Sequence, residues 1–579
     1  VAMAYQHPYS RGRTPVPQDP LNVVKFKTPA IQPHEVHLEK SIGKGSFGEV
    51  FKGTCRGETV AIKILDKQKL SEKQMREFER EVILISKYTH PNIVQFMGAC
   101  FVPEQMMIVT EFIPRGDLED MLADENIKLS YPTRMKMAKG AAKGMNWLHL
   151  SEHTFIHRDV KTKNFLVGEN NIIKICDFGL SQVKAAPDVL LQDPPNGAKG
   201  TPIWMAPEIL TNRKFNEKCD VYSFGLVLWC LLTRKEPYDE YEDLETFRND
   251  ICRRHIRPPI PADCLPSLKS LIEKCWDPVP DNRPSFDQII RELDYIIIDY
   301  SIFDYIGRKI WVENFLTKDK VLWDDFFAAF QNEIETCVAL PVEGLTQQMI
   351  QQATNFQLEV LSAKSSRDIQ AVVDQEFKRR YPNGKPRGIL TEQNIREHQF
   401  GECLKAIVAV NSTEDGIANE FVVTMEKFGE VLNWFGPIIH DSVPVIYDNL
   451  LDIARQTWFH GDISQDTAED RIRANKNIGS FLVRFSSRPG FFTISQLNAH
   501  NEIEHRRISH GPGEPFMFGR NVQAPTLPRL IESIAEGLKL MHPCPGSRFT
   551  RIFTNTRTGG YVQSNSSAYI SPSENDFCQ

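Results

Sequence analysis

The stretch HRDVKTKN at residues 157–164 restricts what this chain can fold into and do more than any other. A carboxylate such as Asp159 can orient an attacking hydroxyl and take its proton, and Asn164, five residues on, can hold a magnesium ion. Lys161 can neutralise charge on a transferred γ-phosphate, and the DFG motif that follows supplies Asp177 as a second magnesium ligand. The spacing therefore predicts a phosphoryl-transfer site that uses ATP and Mg²⁺.

Two motifs nearer the N-terminus fit the same chemistry. Residues 43–50 read GKGSFGEV, which matches G-x-G-x-x-G-x-V, and glycines let backbone amides approach phosphate oxygens without Cβ clashes. The strand pattern VAIK at 60–63 puts Lys63 on the same face as Ala61, where its ammonium can reach the α- and β-phosphates. Glu81 follows in a helical pattern and is placed to pair with Lys63.

These motifs occur in one order and end with APE at 206–208, and together they resemble the eukaryotic protein kinase family over residues 35–297. The resemblance implies a bilobal fold, Asp220 as the structural aspartate under the catalytic loop, and a pair between Arg283 and Glu208. It implies the following catalytic residues: Asp159, Lys63, Glu81, Lys161, Asn164 and Asp177, of which Asn164 and Asp177 hold the metal. It implies the following ATP-binding residues: Ile42, Gly43, Lys44, Gly45, Ser46, Phe47, Gly48, Val50, Ala61, Lys63, Thr110, Glu111 and Ile113.

Two segments bear on which hydroxyl is phosphorylated. Lys161 and the acceptor loop GTPIWMAPE at 200–208 resemble serine/threonine kinases of the tyrosine-kinase-like group. Serine/threonine specificity is therefore expected, with dual specificity as the main alternative and a true tyrosine kinase as a further one. The activation segment, 177–208, contains no tyrosine, and its only hydroxyl residues are Ser181 and Thr201. Control by tyrosine phosphorylation within this segment is therefore excluded.

A second informative stretch, SFLVRFSS at 480–487, places one arginine in an apolar strand pattern. In a strand, Phe481, Val483 and Phe485 face one way and Arg484 faces the other. A strand arginine can offer its planar guanidinium to a phosphate through two parallel charge-assisted hydrogen bonds. The pattern therefore predicts an anion site on the Arg484 face.

With WFHGDIS at 458–464 and IEHRRI at 503–508, this stretch resembles an SH2 domain over residues 456–550, a reader of phosphotyrosine peptides. The resemblance implies a central antiparallel sheet flanked by two helices. It implies the following phosphotyrosine-binding residues: Arg484, Ser486, Ser487, Arg488, His505 and Arg507. The chain departs from the pattern at Gln465, where many SH2 domains place another arginine, so one positive charge is missing from the pocket.

A kinase domain followed by an SH2 domain resembles the amoebal SH2-domain-containing dual-specificity kinases of the Shk group. The expected fold class is multidomain α+β. The expected boundaries are a flexible N-terminal arm at 1–34, the kinase domain at 35–297, a helical connecting region at 298–455, the SH2 domain at 456–550 and a disordered tail at 551–579.

The connecting region (298–455) carries none of these motifs. NSTEDGIANEF at 411–421 hints at a degenerate EF-hand-like loop, but its twelfth position is Val422 and not the glutamate that calcium requires. The run FGEVLNWFGPII at 428–439 resembles the helical and EF-hand-like modules that brace the SH2 domain of Cbl-type proteins. We expect a helical spacer that packs on one or both neighbouring domains and binds no calcium.

Amino-acid composition limits the partners and the cellular compartment that fit this chain. A net charge of −7 over 579 residues argues against a nucleic-acid partner. Twelve cysteines without a C-x-x-C pair suit a reducing compartment, and the longest apolar run, FGLVLWCLL, is too short to span a bilayer. We therefore expect a cytoplasmic protein without a transmembrane segment, recruited to the inner membrane face by phosphotyrosine ligands.

The leading interpretation is an ATP-dependent kinase in signal transduction, with protein substrates and phosphotyrosine-containing partners that target or regulate it through the SH2 domain. A phosphotyrosine-binding scaffold with minor kinase output is the alternative. The intact set of Lys63, Asp159, Asn164 and Asp177 argues against that alternative.

Overall fold

The computed structural model describes residues 29–45, 48–65, 72–102, 105–151, 154–184, 189–192, 200–338, 392–411, 421–440, 443–488, 490–511 and 513–554. They belong to two compact units, which divide between Ile296 and Ile297. The predicted N-terminal arm up to residue 28 and the predicted tail from residue 555 lie outside the described residues. Among the helices described, none combines the length and the apolarity needed to cross a membrane.

The first unit begins with a five-stranded antiparallel sheet in the order β1-β2-β3-β5-β4, packed against one helix. Val60 and Ile62 on the third strand are fully buried on one face, so the alternation of the strand turns Ala61 and Lys63 to the other face. The elements are β1 (Val36–Gly45), β2 (Gly48–Cys55), β3 (Glu58–Ile64), α1 (Glu72–Lys87), β4 (Phe96–Cys100) and β5 (Met107–Glu111).

Residues 29–34, which the sequence assigns to the N-terminal arm, lie against the edge of this sheet. Ala30 bridges Ala99 in a parallel sense, and the Ile31 amide donates to the Ala99 carbonyl at 3.0 Å. Ile31 is buried, and a Cβ on Gly98 would come within 2.6 Å of the Ile31 side chain. The arm therefore ends in a segment that covers the β4 edge of the sheet.

The rest of the first unit is mainly helical around the almost fully buried α5. Two small antiparallel ladders, β6 with β9 and β7 with β8, bring the HRD and DFG motifs onto adjacent loops. The helices are α2 (Leu118–Ala123), α3 (Tyr131–His149), α4 (Pro207–Leu210), α5 (Lys218–Thr233), α6 (Leu244–Asn249), α7 (Pro266–Cys275) and α8 (Phe286–Ser301), whose residues from Ile297 onward are counted in the second unit. The strands are β6 (Phe155–Ile156), β7 (Phe165–Val167), β8 (Ile173–Ile175) and β9 (Gln182–Val183).

The second unit begins with the connecting region, which is helical as expected but also contains a small sheet in the order β10-β12-β11. Its core is aromatic, and the rings of Phe326 and Phe428 contact each other and those of Trp311 and Phe330. The described elements are α9 (Tyr305–Phe315), β10 (Lys320–Leu322), α10 (Trp323–Val338), α11 (Glu392–Val408), β11 (Ala409–Asn411), β12 (Phe421–Thr424), α12 (Met425–Phe435) and α13 (Val445–Ala454). The EF-hand-like stretch falls mostly at 412–420, outside the described residues.

The remainder of the unit is a central, mainly antiparallel sheet with two longer helices, as the fold expectation stated. Strand order is β13-β14-β15-β16-β17-β18, with β13 and β19 both parallel to β14. Residues 551–554, assigned by sequence to the tail, lie in a short helix. The elements are β13 (Phe459–Gly461), α14 (Gln465–Asn475), β14 (Ser480–Phe485), β15 (Phe491–Leu497), β16 (Ile503–Ser509), β17 (Phe516–Phe518), β18 (Val522–Ala524), α15 (Leu527–Leu538), β19 (His542–Pro543) and α16 (Thr550–Thr554).

Candidate functional site

Lys63 links the sheet, helix α1 and the DFG motif. Its ammonium lies 2.7 Å from the Glu81 carboxylate and 3.0 Å from Asp177 Oδ1. Desolvation disfavours the charged ammonium, but the two carboxylates outweigh it and raise the pKa of Lys63. The same ammonium holds the pKa of Asp177 below its usual range despite the desolvation of that carboxyl. The structure thus brings together three of the predicted site residues, one ammonium and two carboxyl groups, and burial raises the pKa of the Glu81 carboxyl.

The HRD loop brings a second group of predicted residues together. Asn164 donates its amide hydrogens to the Asp159 carbonyl at 2.6 Å and to Asp159 Oδ2 at 2.9 Å. The Lys161 ammonium lies 2.8 Å from the same carboxylate oxygen and donates to Thr201 Oγ1 at 2.9 Å. A carboxylate, an amide and an ammonium therefore converge on one point, in contact with the acceptor loop.

Asp220 holds this loop from below. Its carboxylate accepts the backbone N–H groups of His157 and Arg158, both at 2.8 Å, and lies 2.9 Å from His149 Nε2. Arg158 has a φ of 69°, an uncommon conformation for a side-chain-bearing residue. Burial opposes ionisation of Asp220, but the histidine and amide partners outweigh it and lower its pKa. The buried carboxylate thus fixes a backbone turn that would otherwise be unfavourable.

The glycine motif forms the β1–β2 hairpin, in which Gly43 pairs with Val50 and Gly45 with Gly48. Gly48 has a φ of +146°, and a Cβ there would lie 2.1 Å from the Ile64 carbonyl oxygen, so only glycine fits. The hairpin backbone at Gly48 therefore packs closely against Ile64, the last residue of β3 and the neighbour of Lys63. Ser46 and Phe47 lie outside the described residues.

The remaining predicted nucleotide residues lie on or beside the sheet. Thr110 pairs with Ala61 across β3 and β5, and Glu111 accepts from the Lys174 ammonium at 2.6 Å. Ile113 is buried just after β5, whereas Ile42 and Lys44 on β1 are exposed.

Arg484 is the centre of the second predicted site. It is only 9% exposed, and its Nε atom is buried without a hydrogen-bond partner in the part of the chain that is described. Thr493 lies directly opposite Arg484, and Arg507 lies directly opposite Thr493, so the two arginines share a face of the sheet. A buried arginine with donor capacity left over is suited to receive an anion.

His505 lies on the same face and is held from two sides. Its Nδ1 atom is 2.8 Å from Ser495 Oγ, and its Nε2 atom is 3.2 Å from Glu469. Ser487 and Arg488, in the loop after β14, are exposed, while Ser486 is buried and its hydroxyl accepts the Arg488 amide at 3.3 Å. The predicted pocket residues therefore surround one face of the sheet.

Glu469 is a residue of this pocket that sequence reasoning missed. Its carboxylate accepts from Gln465 at 3.0 Å as well as contacting His505, and these hydrogen bonds lower its pKa. Burial lowers the pKa of Arg484, and the negative charge of Glu469 opposes that shift. The available signal was the four-residue spacing from Gln465, which puts both side chains on one face of α14.

Comparison with known proteins finds both domains. A family model described as "Protein tyrosine and serine/threonine kinase" matches residues 36–293, and an SH2 domain model matches residues 458–533. Dual specificity protein kinase shkC of Dictyostelium discoideum is 44% identical over 484 residues, which cover 83% of this chain and 85% of the relative. The chain belongs to the family of protein kinases that carry a C-terminal SH2 domain.

Two further relatives differ in how much of this chain they match. Dual specificity protein kinase shkA of the same organism is 42% identical over 536 residues, which cover 92% of this chain and 93% of the relative. Probable serine/threonine-protein kinase drkA is 37% identical over 278 residues, only 48% of this chain. The likeness to shkC and shkA thus covers most of the chain, whereas that to drkA covers about half.

Proposed function

We propose that this kinase transfers phosphate from ATP to serine and threonine, and also to tyrosine, and that phosphotyrosine binding to its SH2 domain directs it. The sequence alone favours serine and threonine. The relatives shkC and shkA, both named dual specificity protein kinases, support adding tyrosine. The observation that carries the proposal is the convergence of Lys161 and Asn164 on the Asp159 carboxylate, at 2.8 Å and 2.9 Å.

In this proposal Asp159 orients the acceptor hydroxyl and takes its proton as the oxygen attacks the γ-phosphorus. The bond from that phosphorus to the β,γ-bridging oxygen breaks, and ADP leaves. Lys161 compensates the charge of the transferring phosphoryl group, and Lys63, held by Glu81, binds the α- and β-phosphates. The contacts of Lys63 with Glu81 and of Lys161 with Asp159 support this proposal, because they hold both ammonium groups and limit the reorganisation that phosphate binding would require.

The metal proposal depends on the donor atoms present. Asn164 uses its amide nitrogen toward Asp159, which leaves its amide oxygen as a ligand, and Asp177 supplies a carboxylate. Oxygen ligands from one or two side chains, completed by substrate phosphates, are what Mg²⁺ usually takes in such sites. Bound there, Mg²⁺ would neutralise phosphate charge, and the residues of this chain fit that role.

For the SH2 domain we propose that Arg484 binds the phosphate of phosphotyrosine bidentately, with Ser486, Ser487 and Arg488 closing around it and His505 and Arg507 beside the ring. Binding such a ligand would raise the local concentration of substrates on the same protein or complex. Reduced cysteines, ATP and phosphotyrosine proteins coexist in the cytoplasm, and the eleven cysteines that the structure describes are free. We therefore propose a cytoplasmic enzyme, brought to the inner membrane face by phosphotyrosine ligands.

The test is phosphoamino-acid analysis of the purified chain after incubation with MgATP, beside Asp159→Asn. We expect phosphoserine, phosphothreonine and phosphotyrosine from the parent protein and none from the variant. Phosphoserine and phosphothreonine alone would remove the tyrosine part of the proposal. Equal incorporation by Asp159→Asn would overturn the assignment of Asp159.

A further inference from the structure

Trp434 of the connecting region packs against the SH2 sheet. Trp434, near the end of α12, is 4% exposed, and its ring stacks on Phe485 with centroids 4.0 Å apart and an interplanar angle of 18°. Phe485 follows Arg484 directly and points to the opposite face of β14. The tryptophan therefore packs beneath the strand position from which the phosphate loop departs.

The indole of Trp434 also holds the other end of that loop. Its N–H donates to the Phe491 carbonyl at 3.1 Å, and the same carbonyl accepts the Ser486 N–H at 2.9 Å. Between these residues, the Phe491 amide donates to the Arg488 carbonyl at 3.2 Å. One oxygen atom thus joins the tryptophan to both the beginning and the end of the loop that carries the proposed phosphate-binding hydroxyls.

Further contacts join helix α12 of the connecting region to the SH2 domain. Lys427, at the start of α12, lies 2.9 Å from Asp462, and the Phe435 ring contacts both Phe485 and Phe492. A Cβ on Gly490, which has a φ of +77°, would come within 3.7 Å of the Asn433 carbonyl. Helix α12 therefore packs along the strand and the loop together, not on a remote part of the SH2 domain.

We propose that Trp434 is a positioning residue of the phosphotyrosine pocket, so that the phosphotyrosine reader of this chain comprises the connecting region together with the SH2 domain. This proposal rests on the assignment of Arg484 and Ser486 to that pocket. A loop that must present several donors to one phosphate binds more tightly when its geometry is fixed beforehand, because less ordering is needed on binding. Trp434 fixes that geometry from outside the SH2 domain.

The variants separate the two contacts of the tryptophan. Trp434→Phe keeps an aromatic ring against Phe485 but removes the N–H donor, whereas Trp434→Ala removes both. Phe428→Leu is the matched control, because Phe428 is fully buried on the same helix but its ring contacts lie within the connecting region, on Trp311, Phe326 and Phe330. Arg484→Ala tests the pocket itself.

The measurement is calorimetric titration of the full chain with phenyl phosphate and with a phosphotyrosine peptide, well below the unfolding temperature of every variant. Phenyl phosphate occupies the phosphate pocket alone. Loss of one neutral hydrogen bond corresponds to about 2- to 10-fold in affinity, so we expect that weakening for Trp434→Phe and a larger one for Trp434→Ala. Binding stoichiometry should stay near that of the parent protein, which shows a folded pocket with altered geometry.

Phe428→Leu should lower the unfolding temperature without lowering the affinity for phenyl phosphate or for the phosphotyrosine peptide. Parent-like affinity in Trp434→Ala would overturn the proposal, and so would an equal loss of affinity in Phe428→Leu, since that would indicate general destabilisation. Unchanged binding in Arg484→Ala would instead overturn the pocket assignment on which the proposal rests.

Discussion

Arg283 and Glu208 form a bidentate ion pair inside the kinase unit, with guanidinium nitrogens 2.6 and 2.9 Å from the two carboxylate oxygens. The arginine also donates to the carbonyl groups of Lys218 and Asp277, so its donors are well satisfied although it is almost completely buried. The pair connects the APE motif to the segment before α8. The resemblance to protein kinases implied this pair, and the structure places the two side chains together.

Breaking this pair should destabilise the kinase unit strongly. Arg283→Ala leaves the Glu208 carboxylate buried without its partner, which typically costs about 3–5 kcal/mol of unfolding free energy. Lys274→Ala is the control, because the Lys274 side chain is about half exposed in its pair with Glu292 and pairs near the surface contribute about 0–1 kcal/mol. Urea unfolding of the two variants measures the difference, and similar losses in both would contradict the buried pair's importance.

The acceptor-loop hydroxyl of Thr201 should matter for turnover. It accepts from the Lys161 ammonium at 2.9 Å, and that ammonium also lies 2.8 Å from Asp159 Oδ2. Thr201→Val removes that acceptor at nearly constant volume, so we expect kcat to fall about tenfold through misplacement of Lys161. Thr201→Ser, which keeps the hydroxyl, should remain within a few-fold of the parent. Steady-state kinetics with a protein substrate measures both, and equal activity of the valine variant would contradict the role.

Sequence motifs predicted most of the two sites because each motif specifies its own local geometry. The alternation of VAIK turned Lys63 toward Glu81, and that of SFLVRFSS separated Arg484 from the face of Phe485. Residues that depend on partners distant in the chain were not predicted. The segment of Ala30 and Ile31 covers the β4 edge of the sheet. It follows a proline-rich stretch and is too short to show a periodic apolar pattern. Local periodicity shows which face is apolar but not what covers it.

The same limit explains the connecting region. Its helical character followed from pattern, but β10 and β12 are strands of three and four residues whose pairing joins distant segments. Such short strands gain their stability from tertiary contacts, so their own sequence hardly signals them. Trp434 likewise lies in an apolar run of the sequence, and nothing in that run indicates that its partner is Phe485.

Arg484→Ala should abolish most phosphotyrosine affinity. A bound dianion that loses its bidentate partner in a largely buried site typically loses about 2–5 kcal/mol of binding free energy. Arg507→Ala is the comparison, since Arg507 is exposed on the same face and should contribute less. Fluorescence anisotropy with a labelled phosphopeptide compares the two. A larger loss of affinity in Arg507→Ala than in Arg484→Ala would indicate that Arg507 is the main phosphate-binding arginine.

Removing the negative charge of Glu469 should strengthen phosphotyrosine binding. The lowered pKa of this carboxyl keeps it ionised at neutral pH beside the pocket, where it repels the incoming phosphate. For Glu469→Gln we expect an affinity increase of about 2- to 5-fold at low salt that shrinks as salt is added. Glu504→Gln is charge-matched and lies on the opposite face of the sheet, because Glu504 pairs with Gln496 and Gln496 with Phe481. Equal gains in both variants would indicate only a change in net charge.

His460 should make the SH2-containing unit sensitive to acid. The ring is buried, its Nδ1 atom accepts from Arg471 at 2.6 Å and its Nε2 lies 3.0 Å from the Cys544 carbonyl, so a second proton has no place. Burial, reinforced by the Arg471 charge, lowers the pKa of His460 to about 4. An unfolded histidine titrates near about 6.5, so the unfolded chain binds more protons between these values and stability falls as pH decreases from about 6.5 to 4.

The expected loss over that interval is on the order of 2–3 kcal/mol for this histidine. His460→Gln can donate and accept in the same two directions but does not titrate. Its unfolding transition should therefore depend less on pH than that of the parent protein. Scanning calorimetry of both full-length proteins at several pH values between 4.5 and 7.5 measures the slopes. Equal slopes would show that the acid sensitivity arises elsewhere, for example at His510, whose pKa burial also lowers to about 4.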